Sequence, residues 1–247
     1  MHLENQVAIV TGGARGIGLE TAKKFASLGA HAVIWDLDEA GARNSVAAIE
    51  QAGGKASSYV VDLTDDKAVN QATAQVMNNL GRIDILVNNA GYYPHATLEA
   101  TSVDMWRKIM AVNLDSAFFC SQAVFPHMKK AGYGRVVNFS SAVVYEGIPG
   151  VSAYASTKAA LLGFTRVLAT EGGEFGITAN CVAPGLIETE GVLEAIEDLF
   201  ETVIQVQAIK RRGKPADIAE AIAFLAGPAA GFITGQNLGI NGGSSYL

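Results

Sequence analysis

The stretch QVAIVTGGARGIGLETAKKFASLGA, residues 6–30, decides how the rest of the chain is read. A short apolar run, QVAIVT (6–11), gives way at once to glycines and then to a segment with helical periodicity. Within TGGARGIG (11–18), Gly12 permits a tight turn, Gly16 lets the backbone approach a phosphate, and Gly18 allows close helix–sheet packing. Free N–H groups at the helix start, together with the helix dipole, favour an anion there. The spacing is G-x3-G-x-G, not the commoner G-x-G-x-x-G. A glycine-rich turn alone says little, but a strand before it and a helix after it make it a dinucleotide site.

Working outward, the same rhythm repeats. HAVIWD (31–36), SSYVVD (57–62), DILVNN (84–89), GRVVNFS (134–140), TANCVAP (178–184) and NLGIN (237–241) are six further apolar runs. They are rich in Val, Ile and Leu without clean alternation, as strands of a parallel sheet covered on both faces must be. Helical segments lie between them, and several end in glycine. The alternation predicts an α/β fold: a Rossmann-type, doubly wound sheet of seven parallel strands with helices on both faces. No linker, repeat or low-complexity tract interrupts it, so residues 1–247 are expected to form a single domain. Residues 101–131 hold two helices' worth of sequence, broken near Asn113. Residues 185–214 form an acidic, helical insertion placed where an α/β enzyme carries a substrate lid.

Composition excludes several classes. With 49% hydrophobic and 17% charged residues the 247-residue chain can build a large core, and disorder is not expected. A net charge of −6 makes a nucleic-acid partner improbable. No apolar run approaches the roughly 20 residues of a membrane span. The start, MHLENQVAIV, lacks the basic region and cleavage site of a leader, so a cytoplasmic protein is expected. Cys120 and Cys181 lie in apolar contexts and read as buried reduced thiols. His2, His31, His95 and His127 have no metal-ligand spacing, so no metal is expected.

The second run ends at Asp36. A carboxylate there can accept from both ribose hydroxyls of an adenosine and repels a 2′-phosphate. Arg15 pulls the other way, because a guanidinium beside the turn could reach a 2′-phosphate; Leu37 offers no second cation. NAD is favoured over NADP.

Tyr154 and Lys158 stand four apart in SAYASTKAALLGFTRVLATEGG (152–173), hence on one helical face. A free phenol titrates near 10 and is a poor base; a neighbouring ammonium draws it toward neutrality. Tyr145 has no such cation and is followed by Glu146, which leaves Tyr154 as the acid–base candidate.

Taken in order, T-G-x3-G-x-G at 11–18, Asp62, NNAG at 88–91, Asn113, a serine thirteen before Tyr154, Y-x3-K, and PGLIET at 184–189 resemble the short-chain dehydrogenase/reductase family over essentially the whole chain. The resemblance implies hydride transfer between a nicotinamide cofactor and an alcohol or ketone. It implies that Ser141, with Ser140 its close competitor, holds the substrate oxygen, that Tyr154 exchanges the proton, and that Lys158 also binds the nicotinamide ribose. Asn113 would open its helix for a water relay. Asp62 and Leu63 would read the adenine, and Asn89, Ala90 and Gly91 would lie under the adenosine ribose. Ile17 would offer its N–H to the pyrophosphate. In the segment begun by Pro184 and Gly185, Ile187 and Thr189 would fix the carboxamide, with capping of the insertion helix an alternative for Thr189. A homotetramer is implied as well.

The pocket is expected to draw on Tyr93, Pro94, His95, Val143, Tyr145, Ile148, Pro149 and Leu186, with Val192, Ile196 and Phe200 from the insertion. That wall suits a hydrophobic, aryl or alicyclic small molecule. Lys210, Arg211 and Arg212 could meet an acyl-carrier protein, though a solvated run is the better reading. Three functions follow: an NAD-dependent secondary-alcohol dehydrogenase, an NADPH-dependent 3-oxoacyl-thioester reductase, or a nucleotide-binding regulator without catalysis.

Overall fold

The computed structural model describes residues 3–246; Met1, His2 and Leu247 lie outside them. Seven strands form one sheet: β1 (Val7–Thr11), β2 (His31–Asp36), β3 (Lys55–Val60), β4 (Ile85–Asn88), β5 (Gly134–Phe139), β6 (Ile177–Pro184) and β7 (Asn237–Ile240). All neighbours pair in parallel, in the order β3-β2-β1-β4-β5-β6-β7. Strand period decides which core each side chain joins. Ala8, Val10, Ile34, Ile85 and Val87 face one core. Val7, Ile9, Val33, Trp35 and Leu86 face the other.

Helices cover both faces. On the first lie α1 (Gly16–Ser27) and α2 (Glu39–Gln51), with Phe25 and Ile49 buried against the sheet. On the second lie α3 (Asp66–Leu80), then α4 (Val103–Met110) leading into α5 (Ser116–Ala131), which bury Val76, Val124 and Met128. A four-residue helix, α6 (Val143–Glu146), precedes α7 (Ser152–Gly173). The insertion holds α8 (Glu190–Ile196) and α9 (Leu199–Val206), and α10 (Pro215–Ala226) returns to pack on α1.

Two features differ from the sequence reading by more than a single residue at a strand end. The third strand starts at Lys55, two residues before the expected SSYVVD, because pairing with His31 on β2 extends it backward into a polar, edge-strand segment. The break in the 101–131 region is a π-helical turn, Ala111–Asp115, so the backbone stays helical through Asn113. Helix α7 runs on through Gly172 and Gly173. A Cβ at Gly172 would stand 2.9 Å from Ile177, so that glycine permits close packing of α7 on β6. Gly173 meets nothing and has no such reason.

Strand order places β2 and β4 on opposite sides of β1. Connections leaving there diverge and open a crevice beyond the strands' carboxyl ends, where such sheets bind ligands.

Candidate active site

The carboxyl ends of six strands, β1 to β6, deliver the candidate residues to that crevice. After β1 the chain turns through Gly12 (φ +64°) and Gly16 (φ +58°), both in the left-handed region that glycine adopts freely. A Cβ on Gly18 would sit 2.1 Å from the Gly12 carbonyl, so only glycine fits there. Arg15 precedes α1 without a side-chain cap, which leaves the N–H groups of Gly16, Ile17 and Gly18 directed out of the helix. That cradle fits a pyrophosphate. Asp36 braces it: Oδ2 accepts from the Ala14 N–H at 2.9 Å and Oδ1 from the Asp38 N–H at 3.0 Å. Each oxygen keeps a lone pair for a ribose hydroxyl. Leu37 beside it is exposed.

Beyond β4, Asn89 donates to the carbonyls of Thr11 (2.8 Å) and Gly12 (3.1 Å). Thr11 Oγ1 in turn accepts from the N–H groups of Asn89 and Ala90, both at 3.0 Å. The phosphate turn and the NNAG segment are thereby tied into one unit. Asp62 lies just past β3 and accepts twice from Thr64, the side-chain bond being the larger reason its carboxyl sits below the usual range. The neighbouring Leu63 turns its side chain into the core.

The end of β5 separates the two candidate serines. Ser140 donates its hydroxyl to the Lys158 carbonyl at 3.0 Å and is buried. Ser141 lies beside the Tyr154 phenol, with only a long 3.4 Å contact from the Val143 N–H on its oxygen. Lys158 is buried at 3% exposure, pairs with no carboxylate among the described residues, and donates to the Phe139 carbonyl at 2.8 Å. Two of its three protons remain for a ligand such as a ribose hydroxyl. Gly91 keeps the approach open: a Cβ there would lie 3.0 Å from Asn113 Oδ1 and 4.0 Å from Lys158 Nζ.

Burial dominates the electrostatics. It pushes the Tyr154 phenol up to about 12, while the Ser141 hydroxyl draws it back and Tyr93 adds to the rise. Part of Tyr154 still faces the cleft, so the push comes from the packed side of the ring. Burial also lowers Lys158 to about 8, with Cys181 opposing. The sequence reading has the ammonium drawing the phenol down. The geometry turns that ammonium toward Phe139, 5.4 Å from the Tyr154 ring centre, and desolvation prevails at both groups.

Several pocket expectations need revision. Asn113 spends its side chain on backbone: Oδ1 accepts from the Tyr92 N–H, and Nδ2 donates to the carbonyls of Tyr92 (2.8 Å) and Ile109 (2.9 Å). A relay would have to use carbonyls freed by the π-helical turn. Tyr145 turns its hydroxyl to Asn237 Nδ2 at 2.8 Å, so it latches α6 to β7. Phe200 is 1% exposed beneath the Arg212 guanidinium, which makes it a core residue of the insertion. Thr189 precedes α8 without capping it. It faces the phosphate turn, where a Cβ on Gly16 would lie 3.4 Å from its methyl. Pro184 accepts the Ala142 N–H, and the Gly185 N–H reaches the Ile240 carbonyl. Val143 and Leu186 are half-buried. Tyr93 sets its ring edge-on to Tyr154 at 6.0 Å.

The basic run is not free. Arg211 grips Asp217 through two 2.7 Å bonds and holds that carboxyl down to about 2. Lys210 caps the Gln205 carbonyl, and Arg212 faces Glu188 and Glu197.

Sequence reading missed a buried polar chain beneath the site. Asn88 donates to Ser121 (3.2 Å) and to Asn138 (2.8 Å), Asn138 donates to Thr165 (2.8 Å), and Thr165 meets Cys181 Sγ at 3.1 Å. Asparagines inside the apolar runs DILVNN and GRVVNFS were the available signal, since a buried amide must find partners. Both cysteines are free and buried, as expected. Among the described residues no helix is long and apolar enough to cross a membrane, and no His, Cys, Asp and Glu cluster could hold a metal.

Known proteins resemble this chain over nearly its whole length. The family model described as enoyl-(acyl carrier protein) reductase matches residues 12–245. The (2S)-[(R)-hydroxy(phenyl)methyl]succinyl-CoA dehydrogenase subunit BbsD of Thauera aromatica is 41% identical, covering 100% of this chain and 99% of its own. A 3-oxoacyl-[acyl-carrier-protein] reductase of Thermotoga maritima is 38% identical, with 98% and 99% covered. A crystal structure from Sinorhizobium meliloti, assigned as a short-chain alcohol dehydrogenase, superposes with a TM-score of 0.93 at 36% identity, covering 98% of this chain and 97% of its own. With relatives this similar along its full length, the chain is an oxidoreductase of the nicotinamide-dependent kind and belongs to the short-chain dehydrogenase/reductase family.

Proposed function

We propose that this enzyme interconverts hydrophobic secondary alcohols, aryl or alicyclic, and their ketones with NAD(H). The substrate half rests on one observation: the Tyr93 ring stands edge-on against Tyr154, so the group beside the reacting carbon meets an aromatic wall. The cofactor half rests on Asp36, whose carboxylate stands beside the phosphate turn with uncharged Leu37 next to it. The name of the Thauera relative describes an alcohol carbon bearing a phenyl ring on a succinyl-CoA thioester; its aryl part points the same way, and its thioester part suits the second reading below.

The bound nicotinamide supplies or accepts the hydride. The chain's own groups handle the proton. Tyr154 takes the hydroxyl proton during oxidation and returns it during reduction. Ser141 donates to the same oxygen, so developing negative charge meets two donors. Lys158 holds the nicotinamide ribose and stabilises the phenolate, and Asn113 holds Tyr92 and the helix turn that frames the relay. The Gly12–Gly18 turn with Ile17 holds the pyrophosphate, Asp62 the adenine, and Asn89, Ala90 and Gly91 the adenosine ribose. Ile187 and Thr189 hold the carboxamide. The 185–214 insertion acts as the lid.

A second reading, 3-oxoacyl-thioester reduction with NADPH, is favoured by the name of the Thermotoga relative. Against it stand the acidic insertion and the pairing of Arg211 and Arg212 with carboxylates of the chain, which leaves Lys210 the one member of the run without a carboxylate partner among the described residues. A panel of aryl and alicyclic alcohols and ketones, run beside a short 3-oxoacyl thioester with NAD(H) and NADP(H), separates the two. Preferred turnover of the thioester with NADPH would overturn the first reading.

Exposed Phe118 on α5 and Val167 on α7 suit a homotetramer built through these helices. Light scattering at four times the 25.8 kDa chain mass is expected.

A further inference from the structure

The insertion is joined to the body by two limbs, and one side chain ties them. The incoming limb, 187–189, carries the residues proposed to hold the carboxamide. The outgoing limb, 212–213, lies alongside it: Ile187 and Gly213 form a parallel bridge, and the Glu188 N–H donates to the Gly213 carbonyl at 2.8 Å. Gly213 has no room for a side chain, since a Cβ there would stand 2.6 Å from Ile187. Next to it, Arg212 reaches three places at once. Its guanidinium lies 3.7 Å from Glu188 on the incoming limb and 3.5 Å from Glu197 between α8 and α9. Its plane lies over the buried Phe200 ring of α9, 4.7 Å from the centre.

We propose that Arg212 is a positioning residue that sets how the nicotinamide end of the cofactor is seated, by fixing Glu188 and therefore Thr189 opposite Gly16. This rests on the nucleotide-binding reading above. The phosphate turn and Asp36 are untouched by Arg212, so the adenosine half of the ligand should not sense its loss. Half-exposed ion pairs of this length contribute little to global stability. The effect is therefore local to the insertion. Within the basic run, Arg212 alone reaches Glu188 on the incoming limb; Lys210 caps the Gln205 carbonyl of α9 and Arg211 serves the start of α10.

The test compares NADH with ADP-ribose, which lacks the nicotinamide, by titration of wild type, Arg212→Ala and Arg212→Lys; NADPH and 2′-phospho-ADP-ribose are run in parallel. Arg212→Ala is expected to weaken dinucleotide binding about tenfold and ADP-ribose binding less than about twofold, with an unchanged melting temperature. Arg212→Lys, which keeps the charge but not the planar stacking, falls between. Should Ala prove poorly folded, Glu188→Gln reads the same split. Equal losses for both ligands, or no loss for either, would overturn the proposal while leaving the nucleotide reading intact. A wild type that binds none of the four ligands would overturn both.

Discussion

The ammonium of Lys158 lies 5.4 Å from the centre of the Tyr154 ring and donates to the Phe139 carbonyl at 2.8 Å. The two ionisable groups proposed to handle the proton thus lie side by side, and burial drives each toward its neutral form. Alcohol oxidation requires phenolate, so its kcat/KM should climb with pH. Ketone reduction requires the phenol proton and should decline at the alkaline end. In Tyr154→Phe both limbs disappear and turnover falls by about 10³-fold or more, with NADH binding retained. Turnover near wild type would remove Tyr154 from the mechanism.

The same burial has a cost in stability. Lys158 titrates at about 8 in the fold against 10.5 in the open chain. Below about 8 both states carry the charge, and the folded state bears the full desolvation penalty. Between about 8 and 10.5 the unfolded chain binds more protons, so this group's contribution to stability rises with pH. The shift corresponds to at most roughly 3 kcal/mol. Lys158→Met should therefore be inactive yet about 1–2 kcal/mol more stable at pH 7, after allowing for the orphaned Phe139 carbonyl. Its advantage should shrink toward pH 10. Thermal melts at pH 7 and 10 check this, and a destabilised, pH-independent variant would contradict it.

Cofactor choice can be probed at an exposed position. Leu37 is 66% exposed and adjoins Asp36, so a cation there meets solvent and costs little stability. Leu37→Arg should raise kcat/KM with NADP(H) about tenfold and change it with NAD(H) less than about threefold, through a charge-assisted bond to a 2′-phosphate. Asp36→Asn added to it should raise NADP(H) use further, because repulsion is relieved, while the amide can still accept one of the Ala14 and Asp38 N–H bonds. A preference for NADP(H) in the unaltered enzyme would reverse the assignment of Asp36.

What was legible in the sequence depended on how local its cause is. Gly12, Gly16 and Gly18 act through backbone geometry within one turn, and Tyr154 and Lys158 through one turn of helix, so spacing, read with the strand–helix context and the ordered motifs around it, singled them out. Seven strands and the break near Asn113 were legible because their patterns are short-range. Tyr145, Phe200 and Arg212 were not, since their partners Asn237, Arg212 and Glu188 lie between 12 and 92 residues away in the chain. Burial likewise has no local signature, so the upward push it gives the Tyr154 phenol was not legible in the sequence. The start of β3 was missed because pairing with β2, and not its own polar residues, holds Lys55 in the strand.

The Asn88–Asn138–Thr165 chain crosses β4 and β5 and ends on α7, about two turns beyond Lys158 on the same helix face. Asn138 is fully buried, so removing its amide takes one partner each from Asn88 and Thr165, which keep Ser121 and Cys181. Asn138→Ala should cost about 2–4 kcal/mol, and its combination with Thr165→Val should be less destabilising than the two effects added, by about 1 kcal/mol. Urea melts of the four species form the cycle. Strict additivity would mean that the 2.8 Å bond contributes nothing on its own.

Ser140 and Ser141 are adjacent, alike and differently employed. Ser140 spends its hydroxyl on the Lys158 carbonyl, which fastens α7 to the end of β5. Ser141 holds its own beside the Tyr154 phenol. Ser140→Ala should therefore cost about 1–2 kcal/mol of stability, because a buried bond between α7 and the end of β5 is lost, and should reduce kcat no more than about tenfold. Ser141→Ala should melt within about 0.5 kcal/mol of wild type and lose about 10²–10³-fold in kcat, as expected for one donor removed from a developing oxyanion. Melting curves and initial rates on the same preparations distinguish the pair. If Ser140→Ala carried the larger catalytic loss and Ser141→Ala the larger loss of stability, the substrate oxygen would have to be placed against Ser140, and the orientation of the reacting carbon toward Tyr93 would change with it.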